Sequence, residues 1–188
     1  MALETRIAES EFRALALREP DRRWERWDGV AREKPWMSVE HEAIGSYLGF
    51  LLQRQLDRSA WRIRVNGPRL RVPGGNYFMP DVAVLPALLE RALRRQPGAL
   101  DAYDEPLPLV VEIWSPSTGS YDLDVKLAGY RLRGDGEIWR IHPYERTLTA
   151  WRHASDGSYT ETVVAGGGIV VAASLPDVAI DLDALLND

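Results

Sequence analysis

The stretch LPLVVEIWSPSTGSYDLDVKLAGY, residues 107–130, carries a strand, a loop and a helix in succession. Leu107-Pro108-Leu109-Val110-Val111 is apolar without alternation, the pattern of a strand covered on both faces. Glu112 interrupts that run at its end. A carboxylate drawn out of water there costs free energy unless it is paired or binds a cation. After a loop of Ser, Pro, Thr and Gly, the residues Asp122, Lys126 and Tyr130 recur at intervals of four, along one face of a helix predicted over 122–133. The segment Glu137-Ile138-Trp139-Arg140-Ile141-His142 alternates and stops at Pro143, which predicts the next strand. A strand–helix–strand unit of this kind sets the fold class: one α/β domain over residues 1–188, with a mixed sheet flanked by helices.

The flanking chain agrees. Residues 8–18 show helical spacing, with Pro20 as a stop. Asp28-Gly29, between Trp24–Trp27 and Val30–Arg32, is a strong hairpin signal. Ser38 offers an N-cap to a long amphipathic helix bearing Ile44, Leu48, Leu52 and Leu56 and running to about Arg58. Residues 61–65 and 69–72 alternate around Asn66-Gly67-Pro68. Pro80-Asp81-Val82-Ala83-Val84-Leu85 is a further strand closed by Pro86, and 88–95 a short basic helix. Residues 147–153 and 158–164 form a hairpin about Asp156-Gly157. Gly166–Gly168 is a loop, 169–171 a short strand and 181–186 a last helical turn.

Composition narrows the function. Forty-five per cent hydrophobic and 27% charged residues are ordinary for a soluble globular chain. The first residues lack the apolar core of a signal peptide, and no apolar run is long enough to span a bilayer, so a cytoplasmic protein is expected. The absence of cysteine excludes disulfides, thiolate catalysis and cysteine-based zinc sites. A net charge of −5 argues against a protein that coats nucleic acid, though not against a nuclease, whose metal site is itself acidic. Lys34 and Lys126 are the only lysines, so Lys126 stands out from a background of arginine.

Asp81 sits at the mouth of one strand and Glu112 closes the next. Two adjacent strand ends can bring two carboxylates to one hard cation, Mg²⁺ or Mn²⁺, with the Ile113 backbone carbonyl as a further oxygen. Lys126 would stabilise charge on a phosphate or orient the attacking water. The same residues are explained by a structural ion pair between Glu112 and Lys126, with Asp81 capping a turn.

YFMPDVAVLP, followed by LPLVVEIWSPSTGSYDLDVKLAGYRLRGDGEIWRIHP, resembles the Uma-two family of restriction-endonuclease-like proteins, a branch of the PD-(D/E)XK nuclease superfamily. The likeness extends from the WERWDGVA hairpin, through the helix opened by SVEHEAI, to LPDVAIDLDALL near the C-terminus. It implies a metal-dependent endonuclease acting on DNA, with Pro80-Asp81 as the PD element and Glu112 as the (D/E). Trp114 stands where the usual motif has its lysine. The family arrangement D-x-x-x-K-x-x-x-Y, matched by Asp122, Lys126 and Tyr130, supplies the lysine from the following helix. The resemblance also implies an extra metal ligand from the first core helix, for which Glu42 is the candidate, and supporting places for Glu25 and His41. Glu42 equally suits a solvated first-turn position near the helix dipole.

Other features carry less. Ser115 and Ser117 lie in no nucleophile elbow, and the glycine run at 166–168 is not a phosphate loop. Arg91, Arg94 and Arg95 form a basic helical patch that either contacts phosphates or is a solvated face. The tryptophans suit a core or a dimer interface better than base stacking. A homodimer is expected, because one active site per chain needs a second for a double-strand cut. A catalytically silent binding or assembly module of the same fold competes with the nuclease. A hydrolase of small phosphorylated substrates is a third reading.

Overall fold

The structure, a computed structural model, describes residues 6–94, 96, 98–116 and 125–187. Its centre is a six-stranded sheet in the order β10-β9-β8-β7-β6-β3. These strands are β3 (Trp61–Val65), β6 (Val82–Pro86), β7 (Leu109–Ile113), β8 (Glu137–His142), β9 (Thr147–His153) and β10 (Tyr159–Ala165). β7 and β8 run parallel and the other pairs antiparallel, so the sheet is mixed as the sequence pattern requires. All five residues of β7 are buried.

Alternation along β7 divides the core between two layers. Leu109, Val111 and Ile113 face α2 (Val39–Gln55), packing with Ile44, Leu48 and Leu52. Burying each such side chain contributes roughly 1.5–3 kcal/mol. A Cβ on Gly49 would come within 2.6 Å of the Val65 side chain, so glycine is what lets α2 lie this close to the sheet. Val110 and Glu112 face the other way, toward α4 (Leu127–Arg133) and a four-stranded sheet. That sheet has the order β2-β1-β5-β4, from β1 (Trp24–Trp27), β2 (Val30–Glu33), β4 (Leu70–Val72) and β5 (Asn76–Phe78). A small pair, β11 (Ile169–Val171) with β12 (Ala179–Asp181), leads into α5 (Leu182–Leu186).

Local chemistry explains the turns. Asp28 and Gly29 both adopt positive φ, 48° and 81°, which gives the right-twisted two-residue hairpin their sequence calls for. The Ser38 side chain accepts from the His41 N–H and caps α2, which ends at Gln55 rather than near Arg58. The two alternating runs around Asn66 do not pair with each other. β3 pairs with β6 and β4 with β5, so the Asn66 turn (φ 54°) carries the chain from one sheet to the other. β12 escapes sequence reading because it runs straight into α5 and shares Asp181 with that helix's N-cap. The helix predicted from residue 122 is described from Leu127 onward, entered through a wider turn at Val125 and Lys126; Asp122 lies outside the described residues. Among the described residues no helix is long and apolar enough to cross a membrane.

α1 (Glu9–Arg18) is fastened to the small sheet by Glu9, which accepts from Arg71 Nε (2.7 Å) and from the Tyr77 hydroxyl (2.6 Å). The Arg71 hydrogen bond, with help from Tyr77, holds the Glu9 carboxyl down at about 2. A depressed carboxyl stabilises the fold above its unfolded value near 4.5, and that contribution disappears as pH falls toward 2. Glu9→Gln is therefore expected to cost about 1 kcal/mol at pH 7 after solvent screening. Thermal melts from pH 7 to pH 2 should show the gap to wild type closing; a pH-independent gap would remove the ion pair as its cause.

Candidate active site

Extending the β6–β7 register one step beyond Val82↔Val111 sets Asp81 opposite Glu112 on one face of the sheet. Like charges directly opposite each other are destabilising unless something compensates them. Beyond Val82 the ladder passes from backbone to side chain: the Asp81 N–H donates to the Val111 carbonyl (3.1 Å), and the Ile113 N–H donates to Asp81 Oδ2 (2.7 Å). Compensation then arrives from three other parts of the chain.

Lys34, just past β2, donates to Asp81 Oδ1 (2.6 Å) and to the Met79 carbonyl (2.7 Å). His41, in the first turn of α2, brings Nε2 to 2.9 Å from Asp81 Oδ2. Both side chains and Asp81 are at least 95% buried. Burial pushes the Asp81 carboxyl up, but the Lys34 charge, the His41 hydrogen bond and charge and the Lys126 charge outweigh it, holding the group well below the usual carboxylate range. An ionised Asp81 calls for the proton of His41 on Nε2. Nδ1 of His41 is buried without a hydrogen-bond partner among the described residues.

Lys126 serves the second carboxylate. Its ammonium lies 3.0 Å from Glu25 Oε1 and 3.3 Å from Glu112 Oε1, and its side chain is 1% exposed. One helical turn on, Tyr130 donates its hydroxyl to Glu112 Oε1 (2.6 Å), so the spacing of four read from the sequence converges on one carboxylate. Glu25, on β1, accepts from the Met79 N–H (2.7 Å). The approach of α4 rests on Gly129, where a Cβ would collide with the Phe78 ring and press on Val72. Three carboxylates (Glu25, Asp81, Glu112) face two ammonium groups (Lys34, Lys126), leaving one formal negative charge.

The structure thus brings Asp81, Glu112, the Ile113 backbone, Lys126, Tyr130, His41 and Glu25 together. Glu42 is exposed in the first turn of α2, while its neighbour His41 turns inward. Arg91 and Arg94 lie elsewhere: α3 (Ala87–Leu93) leaves the end of β6 opposite to Asp81. Arg91 donates to the Ser59 carbonyl and Arg94 pairs with Glu90, so this patch is engaged in the fold; Arg95 is outside the described residues. Trp139 and Trp151 are core residues, and Trp36 is 90% exposed. Lys34 is the member sequence reasoning missed. Its only signal was rarity, being one of two lysines in the chain. Among the described residues no three acidic or histidine side chains form a ready-made metal cage.

Comparison with known proteins bears on the family and the fold. No curated protein matches the chain. The crystal structure of "a putative nuclease belonging to DUF820 from Anabaena variabilis ATCC 29413" matches with a TM-score of 0.72 at 19% identity, over 87% of this chain and 89% of that one. At that identity the likeness is one of fold, and the fold is that of a mixed α/β nuclease-like protein. The Uma2 (Uma-two) family, described as "Putative restriction endonuclease", matches residues 9–183, a span that holds every residue of the acidic and lysine cluster. The chain belongs to the Uma2 family.

Proposed function

We propose that the chain is a Mg²⁺- or Mn²⁺-dependent endonuclease that hydrolyses phosphodiester bonds in DNA. It would act as one nuclease-like domain, in the cytoplasm, and as a homodimer so that two sites can address two strands. The observation that carries this reading is the pairing of Asp81 with Glu112 across β6 and β7, with the Lys126 ammonium beside them. The donor set suits a hard cation, being carboxylate and backbone carbonyl oxygens without sulfur. Asp81, Glu112 and the Ile113 carbonyl would hold it. Once bound, such an ion supplies Lewis-acid polarisation of the scissile phosphate.

The chain's own groups do the rest. Lys34 and His41 keep Asp81 ionised and fixed in place. The Tyr130 hydroxyl and the Met79 N–H anchor Glu112 and Glu25 independently of Lys126. The lysine is then able to move its ammonium from those carboxylates to a phosphate oxygen as charge develops there. Removing one donor to the developing charge costs roughly 10²–10³-fold in rate.

Supercoiled plasmid incubated with Mn²⁺ tests the reading. Wild type is expected to nick and linearise it, EDTA to stop the reaction, and Glu112→Gln to slow it by at least about 10²-fold. Cleavage undiminished in Glu112→Gln would reject this site.

One observation favours the silent module instead. Lys126 already bridges Glu25 and Glu112, so an internal cation stands where an external one would bind. Millimolar Mn²⁺ separates the two readings. A nuclease's melting temperature rises with metal by mass action; a module closed by its own lysines shows no shift.

A further inference from the structure

Arg140 lies beside the site and takes no part in the cluster just described. In the parallel pairing of β7 with β8 its register partner is Glu112, so the two side chains leave the same face of the sheet, one strand spacing of about 4.8 Å apart. Arg140, Glu112, Trp114, Leu127 and Tyr130 line one crevice. An arginine on the same face as a buried carboxylate, and one strand away from it, is ordinarily drawn into an ion pair. Here Glu112 is held instead by the Tyr130 hydroxyl and the Lys126 ammonium, and Arg140 makes no side-chain hydrogen bond or ion pair with any described residue. Its flank on β9 is Thr149, which brings no charge. The half-buried stem is therefore fixed by the sheet, while five N–H donors stay uncommitted at the edge of the site.

Resting on the nuclease reading, we propose that Arg140 binds a non-scissile phosphate of the nucleic-acid strand whose neighbouring, scissile phosphate lies against the Lys126 ammonium and the cation that Asp81 and Glu112 would hold. The order across β6, β7 and β8 is Asp81, Glu112, Arg140, so the nucleic-acid strand would run across these strand ends from the acidic pair to the guanidinium. Arginine suits the task because its planar fork meets two phosphate oxygens at once and never loses its charge. Such a contact sets position and register and reads no base. Arg140 is thus a substrate-positioning residue.

The test uses Glu112→Gln, expected to cut at least about 10²-fold more slowly than wild type, as the parent for equilibrium binding of a DNA duplex at several salt concentrations. Adding Arg140→Gln is expected to weaken binding about tenfold and to reduce the slope of log K against log salt by about one. In the cleavage-competent background Arg140→Gln should raise KM with kcat little changed, and Arg140→Lys should fall between. Pyrophosphate alone should raise the melting temperature of wild type but not of Arg140→Gln, and this arm needs no nuclease activity. An unchanged salt slope and KM in an enzyme that still cuts DNA would overturn the Arg140 assignment while leaving the nuclease reading intact. A pyrophosphate shift that depends on Arg140, in a protein that cuts no nucleic acid, would support the anion site and reject the nuclease.

Discussion

Lys126→Met is expected to slow cleavage by roughly 10²–10³-fold and also to destabilise the fold, with the two losses separating when Mn²⁺ is added. Methionine keeps the length and apolar stem of lysine but removes the ammonium that lies between Glu25 and Glu112. Breaking a buried ion pair from one side leaves uncompensated charge and costs roughly 3–5 kcal/mol. The lost phosphate contact costs roughly 10²–10³-fold in rate besides. A divalent cation can neutralise the same carboxylates, so Mn²⁺ should raise the melting temperature of Lys126→Met more than that of wild type. It should not restore cleavage, since that metal already belongs to the wild-type site and the second positive charge beside the phosphate is still missing. Thermal melts with and without metal, beside a plasmid assay on the same samples, read both quantities. Wild-type rates in Lys126→Met would mean that this lysine is only a structural counter-ion.

The parts of this site that sequence exposes are those fixed by short-range geometry. Glu112 was visible because a charge at the end of an unbroken apolar strand has few ways to be satisfied. Lys126 and Tyr130 were visible because a helix places residues four apart on one side, and both do reach Glu112. The mixed sheet followed from one strand–helix–strand unit. Lys34 was not visible in the same way. It meets Asp81 across 47 residues of chain, at the end of a strand in a different sheet, and no local period reports such a contact. Glu25 was marked only by family resemblance, because it reaches the site through the stacking of one sheet on another. Glu42 and His41 illustrate a limit of one residue: both stand in the first turn of α2, and about 100° of helical rotation turns His41 inward and leaves Glu42 exposed. Arg140 carried no signal in the sequence, because the parallel register that sets Glu112 beside it joins strands 28 residues apart.

The second large effect is the coupling between Asp81 and Lys34. Asp81→Asn leaves the Lys34 ammonium, 5% exposed, with the neutral Met79 carbonyl and no carboxylate partner. The expected cost is again roughly 3–5 kcal/mol, or about 10 °C or more in melting temperature for a chain of this size. Lys34→Met alone leaves Asp81 with His41 and the Ile113 N–H and should cost less. The double variant removes both charges together and should recover a large part of the stability, with a coupling of about 2–3 kcal/mol in a double-mutant cycle. It should still cut nothing, since the proposed metal ligand is gone. Because the Asp81 carboxyl is held below its ordinary range, its contribution is fully present above the unfolded value near 3.8 and is lost only as pH falls below that. The gap between wild type and Asp81→Asn should therefore stay constant from pH 8 to pH 5 and narrow in stronger acid. Additive single losses, with no recovery in the double variant, would show that Lys34 and Asp81 act separately, and the internal counter-ion account of this cluster would fail.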